Sequence, residues 1–108
     1  MHLKQILYYV SESGKCYFEE WLENLKDIRG KAIVKARIRR ITLGNPGDFK
    51  SLGQGIYELR IEYGPGYRLY YGEDGNTIII FLCGGDKDSQ RRDIDKAYKF
   101  WNDYRRRK

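Results

Sequence analysis

Tyr57-Glu58-Leu59-Arg60-Ile61-Glu62-Tyr63-Gly64-Pro65-Gly66-Tyr67-Arg68-Leu69-Tyr70-Tyr71 carries two apolar-rich runs on either side of a Gly-Pro-Gly break, the first in strict apolar/charged alternation. That period belongs to strands with one buried and one wet face, so it predicts a β-hairpin with Arg60 and Arg68 directed outward. Proline fixes φ and glycine tolerates positive φ, so Gly64-Pro65-Gly66 reads as a three-residue loop that makes partners of Tyr63 and Tyr67. In that register Ile61 faces Leu69, Leu59 faces Tyr71, Arg68 lies opposite Glu62 and Arg60 opposite Tyr70. A slip of one residue would set Arg68 among apolar side chains. The two guanidiniums are then expected about 7 Å apart along the strands, at ~3.4 Å per residue.

Downstream, Glu73-Asp74-Gly75-Asn76 is a turn signal, and Thr77-Ile78-Ile79-Ile80-Phe81-Leu82-Cys83 is an apolar run of strand length. It is expected as the central strand, covered on both faces. A meander of three strands brings its far end beside the start of the Arg68 strand, and Lys87 to the same edge, with Gly84-Gly85 turning the backbone there. Three cations at one edge, with Tyr67 and Tyr70 nearby, suit a phosphate backbone whose unpaired bases stack on aromatic rings. The same pattern also suits a solvated strand face whose arginines pair with Glu58 and Glu62.

At 108 residues with 41% hydrophobic side chains, the chain is long enough for one core and too short for two. No run approaches the roughly 18 consecutive apolar residues of a membrane span, and Met1 to Val10 lacks the pattern of a signal peptide. A soluble, cytoplasmic protein without a membrane partner is expected. Cys16 and Cys83 are far apart in sequence, which supports neither a disulfide framework nor a metal site, and His2, the one histidine, is poorly placed for a triad. Most hydrolase mechanisms are thereby removed. The formal net charge of +6 is uneven: residues 87 to 108 hold nine basic and four acidic side chains. Such asymmetry favours a polyanionic partner, nucleic acid or an acidic protein.

Upstream, Leu3 to Val10 is β-branched and aromatic, as in a strand, and Ser11-Glu12-Ser13-Gly14 ends it. Phe18, Trp21, Leu22 and Leu25 recur at helical spacing, with Ser13 as cap and an acidic outer face. After a break at Ile28-Arg29-Gly30, a second helix carries six cations between Arg29 and Arg40 and no acid. Its basic face reads either as an RNA-docking surface or as a solvated face balanced by the acidic first helix. The two helices are expected as an antiparallel pair across the sheet. Gly44-Asn45-Pro46-Gly47 stops the second helix, and residues 48 to 55 read as a connecting loop from which Lys50 reaches the hairpin's wet face. Ile94, Ala97, Tyr98 and Trp101 predict a C-terminal helix capped by Asp86, Asp88 or Ser89.

Taken together, Tyr57-Glu58-Leu59-Arg60-Ile61, Gly64-Pro65-Gly66-Tyr67-Arg68-Leu69-Tyr70-Tyr71 and Cys83-Gly84-Gly85-Asp86-Lys87-Asp88-Ser89-Gln90 with Asp93-Ile94 resemble the RelE/ParE superfamily of type II toxins. The closer resemblance is to its HigB-like, phage-derived "addiction module killer protein" branch, where Trp21-Leu22, Leu25-Lys26-Asp27 and Gly44-Asn45 also recur. The resemblance spans nearly the whole chain. It implies one α+β domain, RelE-like, with two N-terminal helices packed on a small, mainly antiparallel sheet in the order β-α-α-β-β-β and a C-terminal helix. It further implies a bacterial or prophage toxin held by a cognate antitoxin, of helix-turn-helix DNA-binding type. Many relatives cut mRNA in the ribosomal A site with neither metal nor cofactor. ParE-like members inhibit DNA gyrase instead, and an inactive co-repressor is a third reading.

For RNA cleavage the ribose 2′-hydroxyl attacks the adjacent phosphorus, which requires a base, cations for the phosphorane charge and an acid for the leaving oxygen. By the resemblance, Arg68 matches the family's Gly-Tyr-Arg arginine, Arg60 a basic strand position and Lys87 the basic residue after the last strand. Arg68 and Lys87 are thus assigned to transition-state charge and Arg60 to phosphate binding. Glu58, where relatives carry lysine, is either the base or a salt-bridge partner of Arg60. Lys50, Tyr67, Tyr70, Gln90 and Arg91 complete the expected RNA contacts.

Overall fold

The apolar runs become five strands and three helices in the computed structural model, which describes residues 3–108; His2 lies outside them. In chain order these are β1 (Gln5–Tyr8), α1 (Tyr17–Glu23), α2 (Ile28–Thr42), β2 (Phe49–Gly53), β3 (Ile56–Ile61), β4 (Tyr67–Asp74), β5 (Ile78–Asp86) and α3 (Gln90–Arg107). The strands form one mixed sheet in the order β1-β5-β4-β3-β2, with β1 parallel to β5 and the other pairs antiparallel. The class is α+β. Among the described residues no helix is long and apolar enough to cross a membrane.

Helices cover both faces of the sheet. On one, Phe18 and Leu22 of α1 and Val34 and Ile41 of α2 bury themselves against Leu59, Leu69, Tyr71 and Phe81. On the other, Ala97, Phe100 and Trp101 of α3 pack on Ile56, Tyr70, Ile80 and Leu82. The face that carries Arg60 and Arg68 is therefore not a wet face, as hairpin alternation implied, because the amphipathic C-terminal helix claims it.

Three further expectations change. Residues 48 to 55 are not a loop: β2 forms there as an edge strand on β3, its ladder supplied by a neighbour that local propensity does not reveal. The element order is therefore β-α-α-β-β-β-β-α, one strand more than expected. The apolar run forms β5, covered on both faces as read, yet the central place belongs to β4. The hairpin register differs by two residues, with Ile61 opposite Tyr67, Arg60 opposite Arg68 and Leu59 opposite Leu69. Glu62 to Gly66 make a longer loop, with positive φ at Gly64 and Gly66, and an even shift leaves each side chain on its predicted face.

The helix starts also move. Asp27 caps α2 by accepting from the Gly30 amide, so Ile28-Arg29-Gly30 is its first turn rather than a break, and Cys16 rather than Ser13 precedes α1.

Candidate nucleic-acid interface

Strand register sets Arg60 directly opposite Arg68, and Arg68 opposite Gly85. Like charges directly opposite on a ladder oppose folding. Arg60 has an answer: its Nε donates to Oε1 of Glu58 at 2.9 Å. Arg68 has none. It is 5% exposed, its Nη1 donates to the Tyr67 carbonyl at 3.3 Å, and its buried Nε lacks a partner. Among the described residues no carboxylate forms an ion pair with it.

Lys87 is exposed and folds back over the hairpin loop. A β-carbon placed on Gly66 would stand 3.3 Å from the Cγ and Cδ of Lys87 and 3.7 Å from Nη1 of Arg68. The chain thus gathers Arg60, Arg68 and Lys87 at one end of the sheet, where Glu58 is the carboxylate bonded to Arg60. A buried guanidinium without a counter-charge is costly, so an anion seated over this cluster is stabilised by it.

Gly84-Gly85 does not turn the chain but lies inside β5. The glycines serve packing on opposite faces. A β-carbon at Gly84 would fall 2.4 Å from the Trp21 ring, and one at Gly85 would fall 1.9 Å from Oδ2 of Asp93 and 2.7 Å from Oγ of Ser89. The first turn of α3 thereby settles onto the strand beside Arg68.

Glu58 is fully buried and bonded at both oxygens, to Arg60 and, through Oε2, to Nε2 of Gln90 at 2.7 Å. Burial alone would push its carboxyl up; the hydrogen bonds from Gln90 and Arg60 and the Arg60 charge outweigh it and hold Glu58 below the ordinary carboxylate range. The Tyr70 hydroxyl, buried near this carboxylate, is not in hydrogen-bonding geometry with it, and burial first and the Glu58 charge second push its pKa upward.

Two expected stacking residues are corrected. Tyr67 lies on the α1–α2 side, 5% exposed, with its ring edge-on to Trp21, because its parity is that of Leu69 and Tyr71. Tyr70 is fully buried beneath α3. Neither offers a free face to a base. Lys50 is exposed and pairs with Glu58 across β2 and β3, on the arginine face; Arg91 is exposed in the first turn of α3, and half-buried Gln90 holds Glu58.

Arg37, one of six cations between Arg29 and Arg40, has a role the sequence does not mark. Its Nη1 donates to the Arg60 carbonyl at 2.8 Å, and its Nη2 to those of Pro46 at 2.8 Å and Asp48 at 3.2 Å, tying α2 to the backbone that presents Arg60. Its place between Val34, Ile38 and Ile41 on the apolar stripe was the signal available. Of the thiols, burial pushes Cys83 up to about 12, which leaves it unreactive.

Residues 20–102 match the family described as phage derived protein Gp49-like (DUF891). A protein of Haemophilus influenzae, itself described only as uncharacterized, is 50% identical over 80 residues, which span 74% of this chain and 81% of that protein.

Proposed function

For a chain that belongs to the phage-derived Gp49-like family, a family of addiction-module toxin type, we propose the role of toxin in a type II toxin–antitoxin pair that acts as an mRNA endoribonuclease on the ribosome. The observation that carries this reading is the cluster of Arg60, Arg68 and Lys87, in which Arg68 is buried with no ion pair among the described residues. A phosphodiester is the anion that suits both such a cluster and the resemblance to RNA-cleaving toxins. The RelE-like resemblance of the hairpin and of Gly84 to Gln90 supports the same reading.

In this mechanism the ribose 2′-hydroxyl attacks the neighbouring phosphorus, its proton passes to solvent water, and the bond to the 5′-oxygen breaks as that oxygen takes up a proton, so the reaction asks for charge stabilisation and proton transfer rather than a nucleophile from the protein. Arg60 binds the phosphate, and Arg68 and Lys87 take up the added charge of the phosphorane, a contribution that grows toward the transition state. Exposed Lys87 is the group free to meet the leaving 5′-oxygen. The partners are the cognate antitoxin, mRNA and the ribosome.

Primer-extension mapping of RNA 5′ ends shortly after induction tests this. New ends should accumulate within coding sequence, and Arg68→Ala should remove them and restore growth. Intact message during growth arrest, above all with induction of the DNA-damage response, would replace the nuclease with a gyrase-directed toxin.

A further inference from the structure

Sequence alone leaves Glu58 two roles, general base or partner of Arg60. We propose that Glu58 is a positioning residue: it aims the Arg60 guanidinium at the bound phosphate, and Gln90, from the first turn of α3, fixes Glu58 in turn. This rests on the phosphate-binding reading of the cluster.

The geometry assigns each atom a task. Arg60 spends its Nε on Oε1 of Glu58 at 2.9 Å, while neither terminal nitrogen has a protein partner among the described residues. The carboxylate thus holds the inner edge of the guanidinium and leaves the outer edge to fork onto two phosphate oxygens. Exposure follows the same division, 33% for the Arg60 side chain and 0% for Glu58. A base must come within hydrogen-bond reach of the proton it takes. Glu58 is sealed from solvent with both oxygens occupied, so it does not reach a ribose.

Gln90 closes the chain of contacts. Its Nε2 donates to Oε2 of Glu58 at 2.7 Å across 32 residues of sequence, the link between the start of α3 and the arginine strand. Without it a buried carboxylate oxygen loses its donor, and Glu58 is free to turn away from Arg60. Seating of α3 and the aim of Arg60 are therefore coupled through one carboxylate.

Nitrogen-15 NMR of the arginine Nε–H groups in the full chain tests the coupling without reference to cleavage. The Arg60 signal, assigned by its loss in Arg60→Lys, should be protected from solvent exchange in the parent protein and lose that protection at least tenfold in both Gln90→Ala and Glu58→Gln. Affinity for a 2′-O-methylated oligoribonucleotide of mixed sequence should fall about tenfold in each variant, while the acid limb of any pH–rate profile stays in place. Half-buried Gln90 is the safer variant for folding. Unchanged Arg60 protection in Gln90→Ala overturns the proposal, as does an acid limb that vanishes in Glu58→Gln with affinity intact. A parent protein that binds the oligonucleotide but cuts no message would sink the nuclease reading and leave the positioning role standing.

Discussion

Arg68 is a residue whose presence the fold does not explain. Its guanidinium is buried, opposed by Arg60 and without an ion pair among the described residues, so its burial opposes folding. Replacing it with an apolar side chain of similar length should relieve that cost. Arg68→Met is expected to raise stability by roughly 1 kcal/mol in urea unfolding while it abolishes growth arrest, the exchange typical of a functional site. A Met variant less stable than the parent would mean that Arg68 is a structural residue. Glycine 72 is the opposite case, required by packing alone. A β-carbon there would fall 2.4 Å from the buried Trp101 ring, whose Nε1 donates to the Gln54 carbonyl, so the ring cannot withdraw freely. Gly72→Ala should cost about 1–3 kcal/mol by urea unfolding and leave the arginine cluster intact. At this scale the sequence was legible in part. Alternation assigned Arg60 and Arg68 to one face, because strand parity is local. It did not reveal that this face is covered, nor that Tyr67 and Tyr70 are sealed, because cover comes from elements distant in the chain.

The covering element is α3, and the chain fastens it at both ends. At its start, Gln90 grips Glu58 and Ser89 bonds to Asp93. Toward its end, Asp103 accepts from Tyr9 and from Arg106 and Arg107, and Asp74 accepts from Lys108 and Tyr104. The Tyr9 hydroxyl first, and the arginines after it, hold Asp103 below the ordinary carboxylate range; Lys108 and then Tyr104 do so for Asp74. Groups with depressed folded values contribute stability that is complete above the unfolded value of about 3.9 and is lost as pH falls through the folded value. Amide exchange in the second half of α3 should therefore accelerate as pH drops below about 4, after correction for intrinsic rates, and Asp103→Asn should bring that loosening to neutral pH. Uniform protection across α3 at low pH would contradict the latch. Sequence periodicity found α3 itself through Ile94, Ala97, Tyr98 and Trp101, since a helix's own stripe is local information. The sheet face it covers is not local, and β2 escaped notice because residues 49 to 53 become a strand only through pairing with β3.

Charge decides how the whole molecule meets a polyanion, and the 21 basic side chains behind the net +6 are not equally free. Some of the C-terminal cations are engaged internally: Arg106 and Arg107 pair with Asp103, and Lys108 with Asp74. By contrast, Lys35, Arg39 and Arg40 of α2 and Lys87 beside the hairpin form no ion pairs among the described residues. Counterion release makes this distinction measurable, because only cations that displace counterions from phosphates enter the salt dependence of binding. For a single strand each such contact contributes about 0.7 to the slope of log affinity against log salt. Lys87→Ala should therefore reduce the slope for a 2′-O-methylated oligoribonucleotide by about 0.7. Arg106→Ala, already engaged by Asp103, should leave it unchanged. If Arg106 and Lys87 reduced the slope equally, binding would follow the total charge of the chain rather than the end of the sheet where Arg60 faces Arg68, and the site would lose its claim to a bound phosphate.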